Sequence, residues 1–495
     1  SALLFSITMV VCFALGQRVP FNALEIVWDS NQFLYLSLIY LVFFVPFFFA
    51  AICIGLAFTC RQQVIGRIYF FDLMGAGFGA ILTIGALFAL MPQNALLLLM
   101  TLPLVASLIL ASVSRARIPL MIVQAGWLAL LLAGVPQQQL ALRISDYKGL
   151  SQALQVMDSR VLKNVSGPLG LLTVVESPSV PFRHAPGLSF GTRHIPPQQL
   201  AVFTDADSMT TINRFDGDLG SLAYLGDITA ALPYALLAEP EVLVLGAGGG
   251  GDVLLALYNG AKSVDAVELN PQMTDLVQDT YADFSGFVYE DPRVKVHPME
   301  ARGFVAKSES LYDLIHIGLL DSFAAAGAGV QAQSESYIYT VEAIAEYLAH
   351  TTAGGMLAIT RWLKHPPRDG LKLIATAIEA LESLGVEQPG KQLAVIRSWN
   401  TSTLLIKNGV LDADEVASIR RFAQSRSFDT AWLPDIEPHE TNRFNQLDRP
   451  YLYDGTMALL GDRSDAFLER YKFYIEPATD NQPYYFHFFK WTTLP

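Results

Sequence analysis

The stretch VLVLGAGGGGD, residues 242–252, places Gly246, Gly248 and Gly251 in the spacing GxGxxG directly behind a short apolar run. A buried strand that turns on such glycines lets its backbone pass close to a nucleotide or nucleoside. Glu268 stands seventeen residues beyond Gly251 and ends a second apolar run, SVDAVE. A carboxylate at the end of that second strand accepts hydrogen bonds from two ribose hydroxyls. The spacing fits a nicotinamide dinucleotide and an adenosyl ligand alike. A P-loop is excluded, because no Gly-Lys-Ser/Thr follows the glycines.

Two further acids separate the ligands. Glu300, in PMEARGF, follows a third apolar run, where it or its neighbouring amide can meet an adenine amino group. Asp321, in GLLDSFAAAGAG, follows a fourth, where it would face the reacting end of the ligand. Acids after strands two, three and four suit a donor that joins a nucleoside to a cationic centre, whereas a nicotinamide enzyme needs no acid at the fourth position. Against this stand plainer readings: Glu268 as a solvated loop acid, Glu300 as a surface acid and Asp321 as a helix N-cap.

These residues need a scaffold, and the pattern after Pro240 supplies one. EVLVLGA, SVDAVEL, VKVHPM, YDLIHIG and GGMLAITRW read as five short strands. Helical periods such as PQMTDLVQDTYADF and SYIYTVEAIAEYLAHT run between most of them. The alternation predicts an α/β Rossmann-like domain over 236–410, a parallel sheet covered by helices with its ligand at the carboxyl ends of the strands. KQLAVIRSW and TSTLLIKN, joined by Asn400, predict a hairpin at the sheet edge. Residues 141–235 read as a small β-rich subdomain before it, with 411–495 a mixed C-terminal extension.

The first 140 residues differ in kind. Of the chain's 33 basic and 46 acidic residues, five and three lie within 1–140, which leaves 28 and 43 beyond it. So acidic a remainder excludes nucleic acid as a partner, since phosphate binding needs clustered Lys and Arg. About 20 apolar residues of helix cross a bilayer core, and windows near 2–16, 33–59, 69–91, 94–113 and 119–134 predict about five membrane helices, the first cut short. Pro46 marks the second as kinked or as two half-helices. Gly75 and Gly79 form a GxxxG that suits close helix approach, and Asp72, five residues after Arg67, reads as an interfacial residue. With five spans and a cytoplasmic soluble part, Arg61, Arg67, Arg115 and Arg117 would face outward against the positive-inside tendency, which calls the shortest complete window, 119–134, into question. Cys12, Cys53 and Cys60 show no disulfide or metal spacing, and the eight histidines form no HxxxH or HExxH pair, so no metal is expected.

Taken together, VLVLGAGGGGDVLLALYNGAKSVDAVELNP, DPRVKVHPMEARGF, YDLIHIGLLDS, SYIYTVEAI and GGMLAITRW resemble the spermidine synthases, and IYFFDLMGAGFGAIL before them resembles that family's membrane-embedded bacterial branch. The resemblance runs over roughly 66–495 and is strongest from 240 to 362. It implies a class I S-adenosyl-dependent transferase fold and a decarboxylated S-adenosylmethionine donor, or S-adenosylmethionine itself. It further implies a small-molecule amine or lipid-associated acceptor, contact with membrane lipids, a homodimer, and a place in the bacterial inner membrane with the catalytic domain cytoplasmic. Glu268 and Glu300 match the family's ribose and adenine acids, and Gly246, Gly248, Gly249, Gly251 and Asp252 fall in the donor loop. Tyr224 matches the tyrosine of the family's Tyr-His-Glu, but Leu225 and Gly226 replace its polar pair. Gly249 stands where the family has an aspartate that helps to hold the donor's amine, with Asp252 nearby, and Gly318 stands in place of the first acid after the fourth strand. Asp321, with Tyr224 or Asp227, is left as the proton acceptor. A methyltransferase acting on a lipid or membrane-associated substrate, and a transporter or sensor that only binds a nucleoside, remain open beside the aminopropyl transferase.

Overall fold

The computed structural model describes residues 1–26, 29–112, 117–134, 140–320 and 332–491. The chain divides into two compact units: Ser1–Gln155 with Lys163–Thr173 and Thr204–Ala206, and Val156–Leu162 with Val174–Phe203 and Asp207–Pro495.

The first unit holds α1 (Ala2–Gly16), α2 (Asn31–Cys60), α3 (Ile65–Ala89), α4 (Pro92–Ser112) and α5 (Arg117–Leu132). A helix occupies each of the five apolar windows. Among the described residues three segments, Asn31–Cys60, Gln62–Ala89 and Pro92–Ala111, are long and apolar enough to cross a membrane, whereas α1 and α5 are shorter. Pro46 does not divide α2, which runs unbroken through it. Buried polar groups tie α1, α4 and α5 together: the Ser6 hydroxyl donates to the Met100 carbonyl at 2.8 Å, Trp127 Nε1 to Ser6 Oγ at 3.2 Å, and Gln124 Nε2 to Ser107 Oγ at 2.6 Å. Among apolar helices such bonds fix which faces meet. The GxxxG is not used in this way. A Cβ added at Gly75 or Gly79 would meet nothing within 4 Å, so no described residue packs on that face of α3.

After the helices come β1 (Arg160–Gly167), β2 (Gly170–Glu176), β3 (Gln199–Thr204) and β4 (Ser208–Asn213), four strands in sequential order in one sheet. The second unit then builds an eight-stranded sheet from β5 (Glu241–Leu245), β6 (Ser263–Glu268), β7 (Val294–Pro298), β8 (Tyr312–Ile317), β9 (Thr351–Trp362), β10 (Leu393–Arg397), β11 (Thr401–Lys407) and β12 (Asp429–Trp432), in the order β12-β10-β11-β9-β8-β5-β6-β7. β5 through β9 pair in parallel. The strand order departs in opposite directions from β5, to β6 and β7 on one side and to β8 and β9 on the other. Such a reversal opens a crevice at the carboxyl ends of the strands, where doubly wound folds bind their ligands. In register, Leu245 faces Ile317, so the residues that follow, Gly246 and Gly318, border that crevice together.

β10 and β11 form the expected antiparallel hairpin, Arg397 opposite Ser402. It is not the edge of the sheet, because β12 pairs with the outer side of β10. β12 is only four residues long and is contributed by a segment whose sequence shows no extended apolar run. The central strands are apolar on both faces: Leu243, Leu245, Ile315, Ile317, Leu357 and Ile359 are buried together with Ile344, Tyr347 and Leu348 of helix Val341–Ala349 and Leu373, Ile374 and Ala377 of helix Asp369–Ser383, and the alternate positions Val242, Val244, Leu314 and Ala358 are buried too. Two-sided burial explains why these strands read as continuous hydrophobic runs.

Candidate active site

The glycine turn after β5 is shaped by close approach. Gly246 has φ +85°, and a Cβ there would lie 1.9 Å from Leu320 Cδ2. Gly249 is excluded from carrying a side chain by backbone, since its Cβ would stand 2.3 Å from the Thr211 carbonyl oxygen. This is a steric reason for the missing acid at that position. The turn is held from several sides: Gly249 N donates to Thr210 Oγ1 at 3.1 Å, and the Tyr289 hydroxyl donates to the Gly248 carbonyl at 2.8 Å. Helix Gly251–Tyr258 starts directly behind it, with Asp252 in its first turn.

Glu268 ends β6 and reaches back to the turn. Its carboxylate accepts from Gly248 N at 2.9 Å and from Asn270 N at 2.8 Å. Burial pushes its carboxyl above the usual glutamate value, against the pull of these backbone amides. Each carboxylate oxygen accepts more than one hydrogen bond, so capacity for a ribose hydroxyl remains. Glu300 is placed differently. It is exposed, and its carboxylate caps helix Ala301–Val305 by accepting from Arg302 N at 3.0 Å and Gly303 N at 2.6 Å. It borders a separate hollow with Arg302, Tyr337 and Glu346.

A cavity lies at the crevice between β5 and β8, lined by Gly246, Ala247, Gly251, Asp252 and Gly318 on one side and by Thr210, Thr211, Asn213, Tyr224, His184 and Trp362 on others. Among the described lining residues Asp252 is the single carboxylate, and there is no lysine or arginine. Burial pulls the His184 imidazole down to about 4, so it is neutral at physiological pH. Tyr224 is buried, and its hydroxyl donates to Asn213 Oδ1 at 3.1 Å, an oxygen that also accepts from Gln199 Nε2 at 2.8 Å. Burial first, and the nearby Asp252 charge next to it in sign, push the phenol well above its ordinary value. A phenol held protonated in this way donates hydrogen bonds and does not take up protons.

Of the acids expected at the site, the structure brings Glu268 to the glycine turn and Asp252 to the cavity. Glu300 is not among the cavity's lining residues, nor is Asp227. The Asp227 carboxylate accepts from the Thr192 hydroxyl at 2.5 Å, pairs with His194 Nδ1 at 2.9 Å and lies 3.5 Å from Arg426 Nε. Asp321 lies outside the described residues. Two residues that motif spacing does not single out also belong here. His316, next to the last residue of β8, is fully buried with Nε2 3.6 Å from Asp252 Oδ1, and Tyr234 is buried with its ring 6.3 Å from that imidazole. A polar residue inside the apolar run YDLIHI was the available signal for His316.

The sheet order, the glycine turn and the acid that ends β6 define a class I S-adenosyl-dependent transferase fold. Residues 227–343 match the family model described as the spermine/spermidine synthase domain, and this part of the chain is spermidine synthase-like. Over 84 residues the chain is 36% identical to a polyamine aminopropyltransferase of Alkaliphilus oremlandii, covering 17% of this chain and 29% of that relative. Over 91 residues it is 32% identical to a polyamine aminopropyltransferase of Korarchaeum cryptofilum, covering 18% of this chain and 28% of the relative. The chain thus spans less than a third of the length of these curated relatives. A crystal structure of spermidine synthase from Thermotoga maritima aligns at 14% identity over 63% of this chain and 87% of that one, with a TM-score of 0.35.

Proposed function

We propose that this chain is an integral-membrane transferase that moves an aminopropyl group from decarboxylated S-adenosylmethionine to an amine acceptor. The observation that carries the reading is the cavity beside the glycine turn, which presents one carboxylate and no basic side chain among its described lining residues. Such a cavity favours a cationic donor and a cationic acceptor over an anionic substrate. The match to the spermine/spermidine synthase domain and the names of the relatives support the same reaction class.

In that reaction the acceptor's nitrogen attacks the carbon next to the sulfonium as the carbon–sulfur bond breaks. The sulfur keeps the electron pair, methylthioadenosine leaves, and the nitrogen loses a proton. Binding in line does most of the work, because the leaving group is already activated by its charge. Glu268 would hold the donor's ribose, and the glycine turn would lie against its nucleoside. The three long apolar helices support attachment to a membrane, which would anchor the enzyme or admit a lipid-associated acceptor.

Mass spectrometry of products from the purified protein tests the reaction. Methylthioadenosine formed from decarboxylated S-adenosylmethionine with an added amine is the expected result. S-adenosylhomocysteine from S-adenosylmethionine, with no methylthioadenosine from either donor, replaces the reading with methyl transfer. Fractionation tests attachment: the full chain is expected in the membrane pellet after an alkaline wash, and recovery in the aqueous fraction without detergent overturns it.

A further inference from the structure

We propose that Asp252 is the proton acceptor of this transfer and that the buried His316 behind it is its positioning residue. The inference rests on the aminopropyl-transfer reading above and assigns its proton-transfer step to a helix instead of to a strand end.

Three observations converge. First, the candidate acids differ in what already holds them. Glu268, Glu300 and Asp227 are each bound by backbone amides or by side chains. The carboxylate of Asp252 accepts no hydrogen bond from the described residues, and its one ionic neighbour is His316. It is the acid in the cavity with lone pairs left for a substrate. Second, Asp252 occupies the space that a side chain after β8 would need. A Cβ at Gly318 would lie 2.1 Å from Asp252 Oδ2 and 3.1 Å from its Cγ. A side chain at Gly318 would have to displace the Asp252 carboxylate from that place. Third, the ground behind Asp252 is polar without being satisfied. His316 is 0% exposed, and neither of its ring nitrogens has a hydrogen-bond partner; the buried Tyr234 hydroxyl has none either. Buried polar atoms left in this way are rare in folded proteins and call for a reason outside packing. At 3.6 Å, His316 Nε2 stands just beyond hydrogen-bond length from Oδ1, and contacts of this kind commonly tighten only when substrate is in place.

The chemistry balances on groups at hand. The neutral amine forms its bond to the carbon next to the sulfonium, the carbon–sulfur bond breaks, and the sulfur takes the electron pair. The nitrogen, now positively charged, passes one proton to an Asp252 carboxylate oxygen, which later returns it to solvent. His316, donating through Nε2, holds the carboxylate in the orientation that meets the nitrogen. The Tyr234 ring stands beside that of His316, centroids 6.3 Å apart.

A plainer role exists for Asp252, since an acid in the first turn of a helix interacts favourably with the helix dipole. Relocating the carboxylate separates the two. Asp252→Ala is expected to lower methylthioadenosine formation by about 10²-fold or more, the scale of a lost general base, with calorimetric binding of methylthioadenosine unchanged. Gly318→Asp alone, which sets two carboxylates into one space, is expected to lower turnover as well. Asp252→Ala combined with Gly318→Asp clears that space and returns a carboxylate to it from β8, so turnover is expected to recover at least tenfold over Asp252→Ala. A helix-dipole role predicts no such recovery. For His316, His316→Phe is expected to lower kcat with KM for the donor unchanged, and His316→Asn, which can still donate, to retain more of kcat than the phenylalanine variant. Wild-type activity that survives Asp252→Ala, or a double variant that binds methylthioadenosine yet is no faster than Asp252→Ala, overturns the assignment alone. Wild-type protein that binds methylthioadenosine but forms none from decarboxylated S-adenosylmethionine with any amine overturns the transfer reading and this assignment with it.

Discussion

Glu268 and Asp252 both stand at the glycine turn, and they are held differently. Glu268 is gripped by two backbone amides at 2.8 and 2.9 Å, so its position is set before any ligand arrives. Asp252 is held by no described donor and faces a cavity, with an unbonded imidazole behind it. A carboxylate fixed by amides acts as a template for hydroxyl groups. A carboxylate left without donors in a partly enclosed site favours a cationic partner, because bringing one in restores the hydrogen bonds it lacks. Under the proposed reaction, the Glu268 side of the turn is held before a ligand arrives and the Asp252 side is left open for charge.

Disturbing Glu268 is expected to have the larger effect on binding. Glu268→Ala is expected to weaken methylthioadenosine binding by about 1.5–3 kcal/mol, the scale of charge-assisted hydrogen bonds, as read by calorimetry on the detergent-purified chain. Equal weakening by Asp252→Ala would erase the contrast. Gly249→Ala sets a methyl group against the Thr211 carbonyl, and overpacking of this kind costs about 1–3 kcal/mol. It is expected to lower the thermal midpoint and the affinity for methylthioadenosine together, whereas Gly251→Ala, where a Cβ meets open space, should leave the midpoint nearly unchanged.

A smaller effect sharpens the role of Tyr224. Tyr224→Phe removes the donor to Asn213 Oδ1, which keeps its bond from Gln199. The expected loss is about 0.5–1.5 kcal/mol of stability with turnover changed only a few-fold. A loss of turnover as large as that of Asp252→Ala would make the phenol part of the chemistry.

The smallest effect is a pH dependence of the fold itself. The His184 imidazole is pulled to about 4 in the folded chain, below its ordinary value of 6.5. As pH falls from about 6.5 toward 4 the unfolded chain takes up this proton and the folded chain does not, so stability falls across that window. The urea midpoint of the wild type is expected to decrease there, and His184→Asn to flatten the decrease.

What was legible in the sequence followed from local pattern. The five parallel strands, the glycine turn and the acid ending β6 could be read because two-sided burial writes continuous apolar runs and a close-approach turn demands glycine. The apolar windows of the first 140 residues likewise mark helices, since length and hydropathy are local properties. β12 was not legible: four residues carry too little periodicity, and their pairing with β10 depends on where the intervening helix delivers them. Neither the position of Asp252 nor the role of Glu300 could be read from spacing. Glu300 stands where a ligand acid would be sought, yet the short helix that follows takes its carboxylate as a cap.

Amino-acid order by itself determined which strands form and where the glycine turn lies, because both depend on residues within a few positions of each other. Only the tertiary structure decided which carboxylate faces the cavity. Asp252, 66 positions before Gly318 in the chain, reaches from the adjoining helix into the space beside that glycine, and a contact between two residues so far apart in sequence exists only once β5 and β8 lie side by side.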